Sequence, residues 1–218
     1  MIERDIRLAK LTGAHYHVAH VSTRDAINVI REAKKSGLSI TCDTAPPYFS
    51  LNESKLLTYN TAFKLSPPLR SEDDRLAIIE GIQDGTIDAI ASDHRARSKD
   101  TKAQPFSAAS VGASGIETLF SITLDLVNKK IIDINKAISF LTINPAKILG
   151  IDSPSLEEKK VVDFIVFDEN EPHTIKQENL KTSPTPFDGK KIHGKILATY
   201  INGQVAFMNQ IFKNKIVK

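Results

Sequence analysis

The sequence predicts an α/β protein with a parallel sheet. Short apolar segments alternate with amphipathic helical segments up to about residue 150, and polar loops follow the apolar segments. Strands that alternate with helices favour a parallel sheet with covered faces. From about residue 160 the pattern becomes rich in strands. We therefore predict a first part at 1–155 and a C-terminal β segment at 156–218.

Apolar spacing and capping residues define the predicted elements. Apolar residues at helical spacing indicate helices, and Gly residues end them. Ser22 or Thr23 can cap the second predicted helix, and Ser71 caps the fourth. In the second part, Asn202-Gly203 is typical of a two-residue hairpin turn. The predicted helices are 2–12, 24–36, 52–57, 72–83, 115–129, 134–141 and 144–149, and the predicted strands are 15–21, 38–44, 86–91, 161–167, 195–201 and 204–208.

Three strands before the boundary are too few to close a barrel. A complete (β/α)8 barrel needs about 250 residues, whereas the whole chain has 218. The first part is therefore predicted to be the C-terminal part of a TIM-like barrel, with about three barrel strands and their helices. Open sheet edges normally have to be paired or covered. We also expect Val18 and Ile90 to meet water on the inner face, which favours self-association or a partner chain.

Composition excludes several functional classes. The net charge is +3, with both signs interspersed, which does not indicate nucleic-acid binding. Apolar stretches do not approach the roughly 18 residues of a membrane span, and the charged N-terminus is unlike a signal peptide. The single cysteine, Cys42, favours a reducing compartment. We expect a cytoplasmic protein without membrane contacts.

Two residues that follow predicted strands are candidates for chemistry. His20 ends the first strand segment and Asp93 directly follows the third. An aspartate there can bind a metal and move a proton, or it can cap the next loop. His20 is either a metal ligand or a hydrogen-bonded strand histidine. In a regular strand His15 and His17 face away from His20, so the three histidines cannot share one metal.

Several blocks of the sequence resemble, in the same order, those of class I dihydroorotases. These enzymes are zinc-dependent (β/α)8 barrels of the amidohydrolase superfamily, and they interconvert N-carbamoyl-aspartate and dihydroorotate in pyrimidine biosynthesis. The resemblance implies the same barrel, plus a C-terminal β segment that belongs to the composite β-sandwich of amidohydrolases. The blocks are Tyr16–Thr23, Lys64–Ser71, Asp84–His94, Lys102–Phe106, Leu141–Ala146 and Thr185–Gly189.

The resemblance assigns roles residue by residue. It implies that His20 is a metal ligand and that Asp93 is both a metal ligand and the catalytic general base. Val111 and Gly112 match a backbone pair that contacts substrate. Two further substrate-binding positions depart from the family: Ser66 stands where the family has Asn, and Arg97 stands where it has His. The family's Thr-Pro-His-His block is also changed, to Ala45-Pro46-Pro47-Tyr48.

The family's remaining metal ligands have no counterpart in the matching blocks, so the chain is predicted to be truncated relative to the family. A catalytic zinc site generally needs three protein ligands. We therefore expect weak or absent zinc binding by this chain alone and no activity in isolation. An N-terminal half-chain, a second copy or aspartate carbamoyltransferase is the expected partner. Two other functions stay open: a non-catalytic interaction subunit, for example with aspartate carbamoyltransferase, and a related cyclic amidase such as a hydantoinase, which the Pro-Pro-Leu-Arg and Gln-Pro-Phe blocks disfavour.

Overall fold

The first part of the chain forms a three-stranded parallel sheet with helices, as predicted. A computed structural model describes residues 1–152, 155–158, 161–182, 184–209 and 212. The sheet order is β1-β2-β3, and both pairings are parallel. The elements of this part are α1 (Ile2–Thr12), β1 (Tyr16–Val18), α2 (Arg24–Lys35), β2 (Ile40–Thr44), α3 (Pro46–Ser50), 3-10 turns at Glu53–Thr58 and Thr61–Phe63, α4 (Glu72–Asp84), β3 (Ala89–Ile90), α5 (Lys99–Lys102), α6 (Leu119–Asn128), α7 (Ile134–Leu141) and α8 (Ile143–Leu149).

The predicted caps explain where the main helices begin. The side chain of Thr23 accepts a hydrogen bond from the backbone of Ala26, and Ser71 does the same from Asp74. Each bond satisfies an otherwise unpaired N–H of a first turn. Helix α3, which begins with Pro46-Pro47, lies outside the helices predicted from the sequence. Proline is favoured in the first turn of a helix, and the pair opens α3 instead of breaking it.

The two faces of the parallel sheet differ in polarity. Strand alternation places Val18, Cys42 and Ile90 on the side covered by helices, where Val18 is 6% exposed and Ile90 is 4% exposed. The expectation that Val18 and Ile90 would meet water is therefore wrong. The opposite face, called the polar face below, carries His15, His17, Thr41 and Asp43.

The C-terminal β segment is an antiparallel sheet with the order β4-β5-β6. The Asn202-Gly203 hairpin is confirmed, because Ile201 pairs with Gln204. Strands β4 and β5 are longer than predicted, since bulges allow the ladder to continue beyond Asp168. The elements are β4 (Phe164–Thr174), a 3-10 turn at Gln177–Asn179, β5 (Lys191–Ile201) and β6 (Gln204–Met208).

One apolar core joins the two sheets. Ile175, Phe187 and Ile192 of the C-terminal segment lie in the same buried cluster as Ile78 of α4 and Ile122 of α6. The division at 155/156 stays a prediction. Among the described residues, no helix is long and apolar enough to cross a membrane.

The buried thiol of Cys42 tests whether the helix-covered side of the sheet is closed. Burial raises the pKa of Cys42 to about 12, and its side chain is fully buried. Because the thiolate is the reactive form, we expect iodoacetamide at pH 8 to label Cys42 only after denaturation. In a Cys42→Ser background, the exposed control Ser36→Cys should be labelled quickly. Rapid labelling of native Cys42, measured by mass spectrometry, would contradict this packing.

Candidate functional site

His20 and Asp93 meet at the carboxyl ends of β1 and β3. The distance from His20 Nε2 to Asp93 Oδ1 is 3.6 Å. Both residues have left-handed backbones, with φ of 56° at His20 and 42° at Asp93. Such conformations are uncommon outside glycine and cluster at functional sites. Ligands of open α/β sheets bind at this end of the strands, so the pair occupies the expected place for chemistry.

Asp43 is a site residue that the sequence analysis missed. Its Oδ2 lies 2.9 Å from His17 Nε2, and its Oδ1 lies 3.1 Å from His20 Nδ1. Burial acts to raise the pKa of Asp43, but hydrogen bonds from His17 and His20 outweigh burial and lower the pKa to about 2. The hydrogen bond to Asp43 in turn raises the pKa of His20. The available signal was alternation in β2, which places Asp43 beside Thr41 on the polar face.

The relation among the three histidines is partly different from the prediction. His17 and His20 converge on one carboxylate, because β1 ends at Val18 and the left-handed His20 no longer follows strand alternation. His15 instead contacts Ser39 and Thr41. This arrangement is compatible with the prediction that His15, His17 and His20 do not bind one metal together.

The carboxylate of Asp93 is held on one oxygen only. Tyr48 donates a hydrogen bond of 3.1 Å to Oδ2, and burial, followed by the charge of Asp93, raises the pKa of Tyr48. Arg95 Nε lies 3.2 Å from Oδ1, but Oδ1 is buried and receives no hydrogen bond of acceptable geometry from the described residues. A buried polar atom of this kind calls for an explanation, and a metal ion is one.

The donors present fit part of a metal site. His20 Nε2 and Asp93 Oδ1 face each other, and both atom types bind zinc. Within the described residues, however, no group of three or more His, Cys, Asp or Glu side chains could hold a metal ion. Since a catalytic zinc generally has three protein ligands, the pair is at most a portion of such a set.

Three of the four predicted substrate-binding residues lie together. Arg97 Nε donates a 2.8 Å hydrogen bond to the carbonyl of Val111. An added Cβ at Gly112 would lie 3.5 Å from Arg97 Nε and 2.7 Å from the Cβ of Arg95, so only glycine fits there without a shift. Ser66 is exposed and follows Lys64, whose carbonyl accepts a 2.9 Å bond from Gly112 N. The substrate roles of these residues stay predictions.

Two basic residues near this group were not predicted. Arg95, rather than Arg97, is the arginine in contact with Asp93. Lys102 is only 5% exposed and donates a 2.9 Å bond to the carbonyl of Ser110. Burial, and then the charges of Lys64 and Arg97, lower the pKa of Lys102 to about 8. The cluster is positively charged and favours an anionic ligand.

A groove of about 430 Å³ runs along the polar face. It is bounded on one side by His17, Asp43 and Ala91 and on the other by Ile148 and Leu149 of α8. Leu149 is 71% exposed. The groove is therefore apolar along α8 and along Ala89 and Ile90 of β3, and polar where His17 and Asp43 line it.

The fold and the site define a class: an α/β protein that presents a histidine and an aspartate at the carboxyl ends of parallel strands. Comparison with known proteins makes the assignment specific. The amidohydrolase family model matches residues 1–206, and the chain belongs to this family.

Curated dihydroorotases are similar to the chain over almost its whole length. The dihydroorotase of Anaplasma phagocytophilum is 39% identical over 210 residues, which are 95% of this chain and 47% of that protein. The dihydroorotase of Thermoanaerobacter sp. is 40% identical over 210 residues, 95% of this chain and 48% of that protein. The chain thus spans about half the length of these relatives.

A solved structure has the same fold over almost the whole of this chain. The L-hydantoinase (dihydropyrimidinase) of Arthrobacter aurescens superposes with a TM-score of 0.89 at 26% identity, covering 95% of this chain and 48% of that one. The α/β architecture therefore agrees with a structure of this family across both sheets.

The close approach of Gly115 to the segment before Asp93 leads to a prediction. A Cβ at Gly115 would lie 2.1 Å from the carbonyl oxygen of Ser92, which is backbone and cannot move alone. We expect Gly115→Ala to lower the free energy of unfolding by about 1–3 kcal/mol, measured by urea denaturation. In the control Gly81→Ala, the added Cβ meets the flexible end of Ile27 at 2.9 Å and should cost less. Equal losses would contradict the backbone contact.

The incomplete donor set leads to a prediction about metal. The purified chain should hold well under one zinc per chain after dialysis, because among the described residues His20 and Asp93 are the only facing donor pair and no larger donor group is present. His20→Ala should remove most of the residual binding, whereas the control His193→Ala, in β5, should not change it. One or two tightly held zinc ions, found by elemental analysis, would contradict this account.

Proposed function

We propose that the chain is the C-terminal half of a dihydroorotase-type zinc hydrolase and that it is inactive without the remaining half. The reaction is the reversible hydrolysis of the cyclic amide of dihydroorotate to N-carbamoyl-aspartate. The observation that carries the proposal is the pairing of His20 Nε2 and Asp93 Oδ1 at 3.6 Å, in a chain 39% identical to a dihydroorotase.

The parallel sheet is proposed to form the last three strands of a (β/α)8 barrel. Strands β1 and β3 each pair only with β2 among the described strands, so each leaves an edge that another strand can extend. The second sheet would then be part of the composite β-sandwich of the family. This chain covers 48% of the L-hydantoinase chain. The other part of that enzyme supports the proposal that a second half completes the barrel.

The proposed partner is an N-terminal half-barrel polypeptide. It would pair with the two edges, fill the groove beside Leu149 and His17, and bring further metal donors to His20 and Asp93. The polar face carries histidines, a threonine and an aspartate. When a partner covers it, such a face is better suited to an enclosed polar site than to a purely apolar interface. A second copy of the chain or aspartate carbamoyltransferase is a competing partner.

In the joined site, this chain's residues have separate tasks. Bound zinc would polarise the scissile carbonyl and activate water. The carboxylate of Asp93 would take a proton from the attacking water and give it to the leaving nitrogen, while Tyr48 donates a hydrogen bond to its Oδ2. Arg97 and the buried Lys102 provide positive charge, which suits the carboxylate of dihydroorotate.

A hydantoinase-type reaction is the second candidate. It is favoured by the superposition on an L-hydantoinase at a TM-score of 0.89. The higher identity to dihydroorotases and the basic group around Arg97 favour an acidic substrate, and therefore the first candidate.

Reconstitution tests the proposal. The chain should gain dihydroorotase activity when it is co-expressed with the N-terminal half of a related dihydroorotase, and Asp93→Asn should abolish that activity because the proton acceptor is lost. Ultraviolet absorbance of dihydroorotate and of hydantoin reports the two candidate reactions separately. A stable complex that turns over neither substrate, or one that turns over hydantoin alone, would contradict the dihydroorotase proposal. A chain that instead copurifies with aspartate carbamoyltransferase and has no activity would favour the non-catalytic role.

The substitutions at two substrate positions are expected to limit the reconstituted activity. Ser66→Asn with Arg97→His restores the family residues, and we expect the double variant to raise kcat/KM for dihydroorotate about tenfold. The matched control is Ser36→Asn with Arg7→His, which makes the same exchanges at exposed positions outside this group. An unchanged or lower kcat/KM in the double variant would contradict the assignment of Ser66 and Arg97 to the substrate site.

A further inference from the structure

The carboxylate of Asp43 holds His20 at two points. Its Oδ1 accepts a 2.8 Å hydrogen bond from the backbone N–H of His20 and lies 3.1 Å from ring Nδ1 of the same residue. Asp43 is 7% exposed. The backbone bond stabilises the left-handed conformation of His20, and the ring contact sets the rotation of the imidazole. One buried side chain therefore controls both where His20 lies and how it is turned.

The charge of Asp43 also determines where the ring protons are. A carboxylate offers only acceptors, so the nitrogens that face it, Nδ1 of His20 and Nε2 of His17, carry protons. A neutral His20 then has its lone pair on Nε2. That atom is the one that lies 3.6 Å from Asp93 Oδ1.

A chain of hydrogen bonds, called the ladder below, runs along the polar face. It links Asp43, His17, Thr41, His15 and Ser39, and the donors and acceptors in it are fixed by the carboxylate of Asp43. In a neutral His17 whose Nε2 donates to Asp43, Nδ1 must accept from Thr41 Oγ1 at 2.8 Å. That hydroxyl can then only accept from His15 Nε2 at 3.0 Å. His15 Nδ1 accepts from Ser39 Oγ at 3.0 Å. Each bond leaves the next partner one possible role, so the ladder has a single direction.

We propose that Asp43 is a positioning residue that keeps His20 in the Nδ1–H tautomer, with Nε2 directed at Asp93, and that Asp43 also sets the direction of the ladder from His17 to Ser39. Its meaning for catalysis rests on the proposed function, in which His20 Nε2 binds zinc. Carboxylates behind metal-binding histidines fix the tautomer and raise the basicity of the ligand, and their loss typically reduces metal affinity about 10- to 100-fold.

The tautomers can be measured on the chain alone. In long-range ¹H–¹⁵N spectra of the ¹⁵N-labelled protein at pH 8, His20 should show a protonated Nδ1 and an unprotonated Nε2. His15 and His17 should show the opposite pattern. A neutral His20 that is protonated on Nε2, or that populates both tautomers equally, would overturn the proposal without any variant.

Two variants separate positioning from general folding. Thr41→Val cuts the ladder between His15 and His17 but keeps the bonds from Asp43, so His20 should retain its tautomer while His15 loses its preference. Asp43→Leu should remove the preference of His20, and Asp43→Glu should restore it in part. In the reconstituted complex, Asp43→Leu should weaken zinc binding about 10- to 100-fold. A folded Asp43→Leu chain that keeps the Nδ1–H tautomer at His20 would refute the proposal. If Asp43→Leu does not fold, the wild-type and Thr41→Val spectra decide.

This test and the test of the proposed function fail independently. The predicted tautomers in a chain that never gains dihydroorotase activity would leave the role of Asp43 standing and remove the enzyme proposal. Activity in a complex whose His20 is protonated on Nε2 would do the reverse.

Discussion

The site depends on the carboxylate of Asp43 at the end of β2. It accepts hydrogen bonds from two histidines and from the backbone of His20. Without this carboxylate, the backbone N–H of His20, in its uncommon left-handed conformation just after the short strand β1, would lose its hydrogen-bond acceptor. Burial makes such a carboxylate costly, and the three hydrogen bonds offset that cost. The same bonds are the reason that the pKa of Asp43 falls to about 2 despite burial.

The two faces of the three-stranded parallel sheet differ in polarity, and this asymmetry reduces the apolar surface that the sheet exposes. The apolar side chains of β1, β2 and β3 face the helices and join one core with Phe187 and Ile192 of the second sheet. The open face instead carries groups that hydrogen-bond to one another and tolerate water. Exposing this face to water therefore costs less free energy than exposing an apolar face would. Among the described strands, the outer edges of β1 and β3 have unpaired backbone groups. A partner strand would add the most hydrogen bonds at these edges.

Local sequence signals predicted the elements well and predicted the site in part. Apolar periodicity, the caps Thr23 and Ser71 and the Asn202-Gly203 turn act within a few residues, so they can be recognised in one sequence. His20 and Asp93 were found because each follows a strand. Asp43 was missed because its role comes from pairing between β1 and β2, 23 residues apart for His20, and from a backbone turn at His20 that alternation cannot anticipate. The assignment of Val18 and Ile90 to the wrong face has a related cause, since alternation identifies two faces but not which one the helices cover.

We propose that His20 and Asp93 belong to a zinc site that another polypeptide completes, with Asp43 setting the orientation of His20. Zinc-edge anomalous diffraction from crystals of the reconstituted complex tests it most directly. The account predicts zinc bound by Nε2 of His20, at about 2.0–2.1 Å, and by a carboxylate oxygen of Asp93, at about 2.0–2.2 Å, with the remaining donors from the added half. Zinc bound elsewhere, or bound by Nδ1 of His20, would contradict it.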